Sequence, residues 1–251
     1  MNRDKFSAIA HRDHAYCNPI APAKIERILD LLPLVADARV LDLGCGRGEL
    51  SLRIIERFQA RVTAVDCASP MLDAARERAQ SRGVIERLQL LKADIAQYRP
   101  EPTAFDLTAM LGSGGIAGGF AGICARLAQW TRPGGYVLIG EGYWAKAPAA
   151  EYLAHLAATP DELRDHRGNV EAGVDAGLIP LHATVASGDE WDEYEWKYSS
   201  SIERYAIEKP EDPDVAAMLD RIHRWRDAYL RWGRDTLGFG LYLFLRPATA
   251  G

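Results

Sequence analysis

The sequence of 251 residues has few cysteines and no excess of positive charge. The four cysteines are scattered, without a C-x-x-C pair or the spacing of metal ligands: Cys17, Cys45, Cys67 and Cys124. We therefore expect the reduced thiols of a cytoplasmic protein, with no disulfide framework and no metal site. Thirty Lys and Arg against 35 Asp and Glu give a net charge of −5. This balance argues against the broad basic surface that binding to nucleic acid or an anionic membrane requires.

Long apolar runs and internal repeats are also missing. The opening residues, MNRDKFSAIAHRDH, carry a charge every few positions, which argues against a secretory signal peptide. Residues 107–125 are uncharged but include six glycines, so they suit a buried strand followed by a glycine-rich loop better than a membrane helix. No membrane association is expected.

What the sequence does contain is an alternation of short apolar runs with helical patterns. The five runs are Val40–Leu43, Val62–Val65, Leu88–Leu91, Phe105–Leu111 and Tyr136–Gly140. This alternation predicts parallel strands joined by crossover helices, hence a doubly wound α/β unit. Ser69-Pro70 predicts a helix start with a capping hydroxyl. Beyond it, residues 149–166 predict a polar helix, Ile179–Ala186 a sixth strand, and Leu241–Leu245 a terminal strand.

The strongest local pattern is VLDLGCGRG at residues 40–48, an apolar strand that runs into three glycines. Glycines let a backbone approach a ligand at the carboxyl end of a strand, where open α/β sheets bind nucleotides. Asp66 ends the second run, 18 residues beyond Gly48, and its carboxylate can accept two hydrogen bonds from a ribose. Glycine loop and acid together predict a site for a nucleoside-containing cofactor.

The order of motifs resembles that of the class I S-adenosylmethionine-dependent methyltransferases. The motifs are Asp42–Gly48 (DLGCGRG), Val65–Met71 (VDCASPM), Lys92–Ile95 (KADI), Phe105–Leu107 (FDL) and Arg132–Gly135 (RPGG), covering roughly residues 22–145. The resemblance implies a Rossmann-like seven-stranded sheet, five parallel strands plus a terminal antiparallel pair, with a helical cover. It implies one domain: residues 1–21 as a lid, 22–145 as the cofactor core, 146–236 as a cover with the sixth strand, and 237–251 as the terminal strand and tail.

The resemblance also implies S-adenosylmethionine as cofactor and assigns residues to it. Asp42 would shape the glycine loop and help place the methionyl end, Asp66 would hold the ribose, and Asp94 would accept from the adenine amine. The remaining implied cofactor residues are Gly44, Cys45, Gly46, Gly48, Cys67, Met71, Ile95, Leu111 and Gly112, the last two bordering the methyl group. Alternatively, Met71 is an ordinary residue of the hydrophobic core.

Two other functions compete with methyl transfer. An NAD-dependent oxidoreductase of Rossmann type would use the same strand, turn and acid, but it requires G-x-G-x-x-G, whereas residues 44–48 read G-x-G-x-G. A non-catalytic module that binds the cofactor without turnover is the second alternative. Neither a Pro-Pro-Tyr/Phe element nor a Pro-Cys pair follows the fourth strand, which disfavours methylation of bases.

Methyl transfer needs a base only if the acceptor starts protonated, because positioning supplies much of the acceleration. His14 and Glu141 are the candidate bases, since histidine titrates near neutrality and a buried glutamate can be raised toward it. Structural hydrogen bonding is the alternative for both. The candidate acceptor-binding residues are Tyr16, Asn18, Tyr143, Trp144 and Trp191.

The acid-rich cover suggests the acceptor's class. Residues 190–196 (EWDEYEW) combine acids with aromatics that could line a pocket for a cationic acceptor, or they could start a helix with its acids in solvent. Arginines of the later helix alternate with aspartates, which is typical of a salt-bridged surface. We therefore expect a small-molecule acceptor and no nucleic acid.

Overall fold

The computed structural model describes residues 1–112 and 118–248, and seven strands within them form one sheet. The strands are β1 (Arg39–Leu43), β2 (Arg61–Asp66), β3 (Leu88–Lys92), β4 (Phe105–Leu111), β5 (Thr131–Trp144), β6 (Ile179–Val185) and β7 (Leu237–Leu245). Their order is β3-β2-β1-β4-β5-β7-β6. Strands β1 to β5 are parallel, and β7 lies antiparallel between β5 and β6. The predicted doubly wound sheet, including the antiparallel insertion of Leu241–Leu245 beside the fifth strand, is confirmed.

The principal helices follow the predicted alternation with the strands. They are α1 (Arg3–Ala10), α2 (Pro22–Leu29), α3 (Glu49–Phe58), α4 (Ser69–Ser81), α5 (Gly119–Trp130), α6 (Ala150–Leu156), α7 (His166–Asp175), α8 (Gly188–Glu208) and α9 (Val215–Ala228). A π-helical turn, Tyr229–Gly233, continues α9. No helix in the described ranges is both long and apolar enough to cross a membrane.

Both faces of the sheet are covered, which explains why its strands read as apolar runs rather than as an alternation. On one face, Val40 and Leu107 pack with α2 and α3 through residues such as Ile54. On the other face, Leu41 packs with α5 through residues such as Trp130. The two layers hold the carboxyl ends of β1, β2 and β4 at one rigid edge.

Three local predictions are wrong. Residues 119–125 belong to α5 rather than to a glycine-rich loop; residues 113–117 lie outside the described residues. The predicted helix over residues 149–166 is broken, because Ala157 adopts a left-handed conformation (φ 51°) after α6 and a short 3-10 turn follows at Pro160–Glu162. The fifth strand does not end at Gly140 but pairs with β7 as far as Trp144.

The cover is built on helices α1, α8 and α9. Their shared apolar contacts include Phe6 from α1, Ile202 from α8 and Ile222 from α9. Helix α8 begins with a capping box in which Ser187 and Glu190 satisfy each other's backbone N–H groups. Residues 190–196 are thus a helix start, although Glu195 is buried rather than solvated. The division of the chain into lid, core and cover stays a prediction.

Candidate active site

The loop after β1 crosses the carboxyl ends of the central strands. Gly44, Gly46 and Gly48 have φ angles of 65°, 52° and 75°, a region that side chains disfavour. A Cβ at Gly48 would also lie 3.0 Å from the Cβ of Ala75 in α4. The Gly44 N–H donates to the carbonyl oxygen of Val65 in β2 at 2.8 Å. Backbone rather than side chains therefore lines this part of the edge.

Asp66, the last residue of β2, holds the glycine loop through its carboxylate. Its Oδ2 accepts from the Gly46 N–H at 2.9 Å, and its Oδ1 accepts from the Ala68 N–H at 2.8 Å. Since a carboxylate has about four acceptor positions, each oxygen keeps a lone pair for a further donor. The predicted capping hydroxyl of Ser69 is wrong: Ser69 is already the first residue of α4, and the capping position is taken by Ala68, whose side chain makes no hydrogen bond.

An open cavity lies beside the glycine loop, with about 360 Å³ of empty space that includes space open to solvent. Its walls include seven residues that the sequence singled out: Tyr16, Asn18, Asp42, Gly44, Cys45, Gly46 and Leu111. They come from the N-terminal segment, the end of β1, the glycine loop and the end of β4. The structure therefore brings together in one wall residues predicted for the cofactor and two predicted for the acceptor.

The N-terminal segment lies directly on the glycines. The Sγ of Cys17 is 3.6 Å from the position that a Cβ would take at Gly46. The Cβ of Asn18 is equally 3.6 Å from the corresponding position at Gly112, whose φ is 77°. Asn18 fixes the segment's turn by accepting from the Ile20 N–H at 3.0 Å. Residues 16–18 thus close the cavity on its outer side.

Two residues that sequence reasoning missed tether this segment. The Arg47 guanidinium donates to the carbonyl oxygens of His11 and Arg12, at 3.2 and 2.5 Å. The Tyr194 hydroxyl lies 3.1 Å from His11 Nε2 and donates to the Cys17 carbonyl oxygen at 3.5 Å. Arg47 stands inside the glycine motif and could have been considered, but nothing local in the sequence indicates Tyr194.

His14 has the surroundings of a neutral imidazole. Its side chain is 7% exposed, and its Nε2 lies 3.0 Å from the Tyr194 carbonyl oxygen. Because a carbonyl only accepts, Nε2 must carry the proton, which leaves the lone pair on Nδ1. That nitrogen is buried and has no hydrogen-bond partner among the described residues. Burial lowers the pKa of His14, so the ring is neutral at pH 7.

Leu111 and Gly112, at the end of β4, meet the middle of β5. The Gly112 N–H donates to the Gly140 carbonyl oxygen at 2.8 Å. A Cβ at Gly140 would lie 2.9 Å from Leu111 Cδ2 and 3.1 Å from the ring of Phe239 in β7. Only glycine fits there without a shift of its neighbours. Phe239, also within 3.5 Å of a Cβ placed at Gly112, is a wall residue that sequence reasoning missed.

Glu141 follows Gly140 on β5, one position beyond this junction. Its Oε1 accepts from the Gly142 N–H at 2.9 Å, and burial raises the pKa of its carboxyl group. His14 instead packs against Tyr194 of α8, with ring centroids 4.6 Å apart. The two candidate bases therefore have separate surroundings, and within the described ranges no hydrogen bond joins them.

Asp42 is a buried carboxyl group in the cavity wall. It is 2% exposed and accepts a hydrogen bond of 2.6 Å from the Ser51 hydroxyl. Burial, with the nearby charge of Asp66, raises the pKa of Asp42 to about 7. A cationic group in the cavity would favour its ionised form.

The residues predicted beside the adenine and ribose reach the same edge: Cys67, Met71, Asp94 and Ile95. Met71 is buried in the first turn of α4, Ile95 is half-buried after β3, and Asp94 and Cys67 are exposed. The Ala93 N–H donates to the Asp66 carbonyl oxygen at 3.1 Å. The turn that carries Asp94 therefore adjoins the end of β2.

Of the predicted acceptor residues, Tyr143 and Trp144 lie further along β5. The Tyr143 ring covers Gly238, where a Cβ would come within 2.2 Å of it. The Trp144 indole donates to the Pro160 carbonyl oxygen at 2.9 Å and packs edge-on against Tyr152. Trp144 thus lies in the interior of the cover, away from the glycine loop.

Trp191, on α8, is also an interior residue of the cover. Its ring stacks on that of Tyr229, with centroids 6.4 Å apart, and meets Tyr194 edge-on at 6.2 Å. Its indole N–H is buried without a partner in the described part of the chain. The roles of Tyr143, Trp144 and Trp191 in acceptor binding stay predictions.

Comparison with known proteins agrees with this geometry. Residues 40–135 match the family model described as a methyltransferase domain. The chain is 30% identical over 248 residues to the uncharacterized protein YjhP of Escherichia coli, covering 98% of this chain and 99% of that protein. It is 30% identical to a trans-aconitate 2-methyltransferase of Acidovorax ebreus, covering 81% and 78% of the two chains.

A solved structure shows the same fold with a ligand. The S-adenosylmethionine-dependent methyltransferase of Geobacter sulfurreducens, in complex with S-adenosylhomocysteine, matches with a TM-score of 0.88 and 26% identity. The match covers 96% of this chain and 98% of that one. The fold, the motif order and these relatives agree on one family and one cofactor, and they decide against the dehydrogenase alternative.

Proposed function

Because the chain belongs to the class I S-adenosylmethionine-dependent methyltransferases, we propose that it methylates a small molecule with its cofactor held across the glycine loop. The observation that carries the proposal is the open cavity between the glycine loop and residues 15–18. The features of this cavity fit a ligand with a ribose and an α-amino group. Asp66 has two spare lone pairs for the ribose hydroxyls, the buried carboxyl of Asp42 suits the amino group, and the wall between them is backbone. The residues present therefore suit S-adenosylmethionine.

The proposed roles follow from the positions of the residues. Gly44, Gly46 and Gly48 let the backbone lie along the methionyl chain and ribose, with Cys45 in the same turn. Asp66 accepts from the ribose hydroxyls and Asp42 faces the amino group. The residues proposed to border the adenine are Cys67, Met71, Asp94 and Ile95; Leu111 and Gly112 border the methyl group.

When bound, S-adenosylmethionine supplies a sulfonium-activated methyl group, so the chemistry asks the protein mainly for alignment and exclusion of water. Residues 16–18 are placed to exclude water because Cys17 lies against Gly46 of the loop. The segment that precedes them is tethered to the loop at His11 and Arg12 through Arg47. Tyr16 and Asn18 form the boundary between the cofactor cavity and the outside, where an acceptor can approach. The rigid β4–β5 junction around Gly112 and Gly140 fixes the other side.

Releasing the N-terminal segment should weaken cofactor retention. Arg47→Ala removes two charge-assisted hydrogen bonds to the carbonyls of residues 11 and 12, each worth about 1.5–3 kcal/mol in a folded protein. We expect S-adenosylhomocysteine to dissociate at least about tenfold faster, measured by stopped-flow fluorescence. Arg76→Ala, which removes a surface arginine of α4 that pairs with Asp73, is the matched control. Equal dissociation rates for the Arg47 variant and the wild type would show that the tether does not retain the cofactor.

The neutral imidazole of His14 and the buried carboxyl of Glu141 are the proposed general bases. For an acceptor that starts protonated, His14→Ala or Glu141→Gln should lower kcat by about 10²-fold and leave the affinity for S-adenosylhomocysteine unchanged, as expected when only a proton acceptor is lost. The measurement is kcat and KM for each variant across pH. If both variants keep the wild-type kcat, no general base operates at either residue.

Charge and architecture support a small-molecule acceptor. The arginines of α9 and its extension are largely paired: Arg224 with Asp220, Arg231 with Asp227, and Arg234 with Asp192. Pairing leaves no continuous basic surface among these residues for phosphates. A trans-aconitate methyltransferase among the relatives is named for a small acceptor.

The test is to supply methyl-tritiated S-adenosylmethionine together with a cell extract separated by size. The proposal predicts enzyme-dependent tritium in the metabolite fraction that passes a small-pore filter. Tritium that appears only in the retained RNA, DNA or protein would refute a small-molecule acceptor.

A further inference from the structure

Tyr16 carries a buried hydroxyl group that forms no hydrogen bond within residues 1–112 and 118–248. The side chain is 8% exposed and lies in the wall of the cavity beside the glycine loop. Burial, together with the charge of Glu49, raises the pKa of this phenol, so the hydroxyl keeps its proton at pH 7. Buried polar groups of folded proteins are nearly always paired. The hydroxyl is therefore a donor whose acceptor a ligand can supply.

The first turn of α3 lies in the same wall. Glu49 and Leu50, the first two residues of this helix, line the cavity together with Tyr16. Gly48 stands at the capping position and has no side chain that could accept from the helix. The amino end of a helix presents N–H groups and a partial positive charge, both of which favour an anion. A carboxylate at this place would meet the start of α3 and the Tyr16 hydroxyl together.

The charges around this turn are compatible with an anion. The Glu49 carboxylate is 4% exposed and is shared by three arginines: Arg53 at 2.8 Å, Arg82 at 2.7 Å, and Arg78. Its negative charge is thereby compensated. Arg47, also in the cavity wall, donates to neutral carbonyl oxygens of the N-terminal segment. Arg47 therefore adds a positive charge to this part of the wall.

Asp42 provides the opposite charge beside the same turn. Its Oδ2 accepts from the hydroxyl of Ser51, the third residue of α3, at 2.6 Å. The wall therefore places a buried acid next to a helix start that offers donors. An α-amino acid carries an ammonium group and a carboxylate on one carbon atom. It fits this wall in one orientation, with the ammonium group toward Asp42 and the carboxylate toward Tyr16.

We propose that Tyr16 is a cofactor-binding residue whose hydroxyl donates to the methionyl carboxylate of S-adenosylmethionine. The inference rests on the proposed function, in which Asp42 faces the amino group, and it assigns the other charged group of the same amino acid. It also moves Tyr16 from the acceptor side of the cavity, where the sequence analysis expected it, to the cofactor side. Cofactor binding then gives the N-terminal segment a hydrogen bond that it lacks without a ligand.

Two ligands and two variants, compared by calorimetry, test this inference. The ligands are S-adenosylhomocysteine and its decarboxylated analogue, which keeps the amine and lacks the carboxylate. Tyr16→Phe should weaken the binding of S-adenosylhomocysteine about 10- to 100-fold, as expected when a hydrogen bond to a charged group is lost. The same variant should bind the analogue as tightly as the wild type does. Tyr136→Phe, whose hydroxyl is removed at the level of Leu107 and away from the glycine loop, should leave both affinities unchanged.

The unfolding temperature of the ligand-free proteins separates a binding role from a structural one. A buried hydroxyl without a partner costs stability, so Tyr16→Phe should unfold at the same temperature as the wild type or at a higher one. Equal affinity of the wild type and Tyr16→Phe for S-adenosylhomocysteine would overturn the inference, as would an equal loss for both ligands or a lower unfolding temperature. If the wild type itself does not bind S-adenosylhomocysteine, the proposed cofactor site fails, and this inference fails with it.

Discussion

Asp66→Ala should weaken the binding of S-adenosylhomocysteine by roughly 30- to 1,000-fold, which corresponds to about 2–4 kcal/mol. The physical reason is twofold. The carboxylate is proposed to accept hydrogen bonds from the ribose, and it also holds the glycine loop through the Gly46 N–H and the next turn through the Ala68 N–H. Isothermal titration calorimetry on the wild type and the variant measures the loss directly.

The control for this experiment is Asp73→Ala. Asp73 is an exposed acid on α4 that pairs with Arg76 on the same helix, so its loss should leave cofactor affinity within the error of the measurement. Asp66→Asn keeps one acceptor oxygen, so it retains one of the two backbone hydrogen bonds, and its loss of affinity should be smaller than that of Asp66→Ala. Unchanged affinity in Asp66→Ala would contradict the placement of the ribose.

Glu195 should make the wild type lose stability, relative to Glu195→Gln, as the pH rises from 5 to 8. Its folded-state pKa of about 7 lies above the ordinary value of 4.5, so the folded protein holds this proton more tightly than the unfolded chain. The stabilisation is fully present below the unfolded pKa and is lost as the pH passes the folded pKa. The expected change is about 3 kcal/mol.

Urea unfolding gives the free energy of unfolding of both proteins at pH 5 and pH 8. The effect is the change between the two pH values in the wild type minus the same change in Glu195→Gln. Other titrating groups, including Asp42, are common to both proteins and cancel. Glu193→Gln, which alters an exposed carboxylate of the same helix, should show the pH dependence of the wild type. If the free energy of unfolding depends on pH identically in the wild type and in Glu195→Gln, the pKa of the Glu195 carboxyl is not raised by folding.

The cofactor half of the site could be predicted from sequence because its signals are local. The glycine loop needs positive φ angles that only its own residues determine, and Asp66 reaches that loop because adjacent parallel strands end at one edge. The sheet was predictable for a similar reason, since strands buried on both faces read as apolar runs. Helix ends were harder to predict. Ala157 ends α6 in a left-handed backbone conformation, which an alanine in the sequence does not indicate.

The other half of the site depends on contacts between distant parts of the chain. Tyr194 is 183 residues from His11 and 180 residues from His14, yet it fixes both. Phe239 and Glu195 are likewise an ordinary aromatic and an ordinary acid in the sequence. Only the packing of β7 and α8 places Phe239 at the Gly112–Gly140 junction and buries Glu195. No pattern of spacing indicates such contacts, because they depend on how the cover folds back over the sheet.

The most direct test of the proposed cofactor site is hydrogen exchange of the backbone amides with and without S-adenosylhomocysteine. We expect increased protection in three segments, residues 14–18, 44–48 and 66–68, and none in the outer turns of α9. Protection in the first segment would show that the N-terminal residues close over the cofactor, and protection in the other two would place it on the glycine loop and Asp66. Binding without added protection in residues 44–48 and 66–68 would contradict the proposed site.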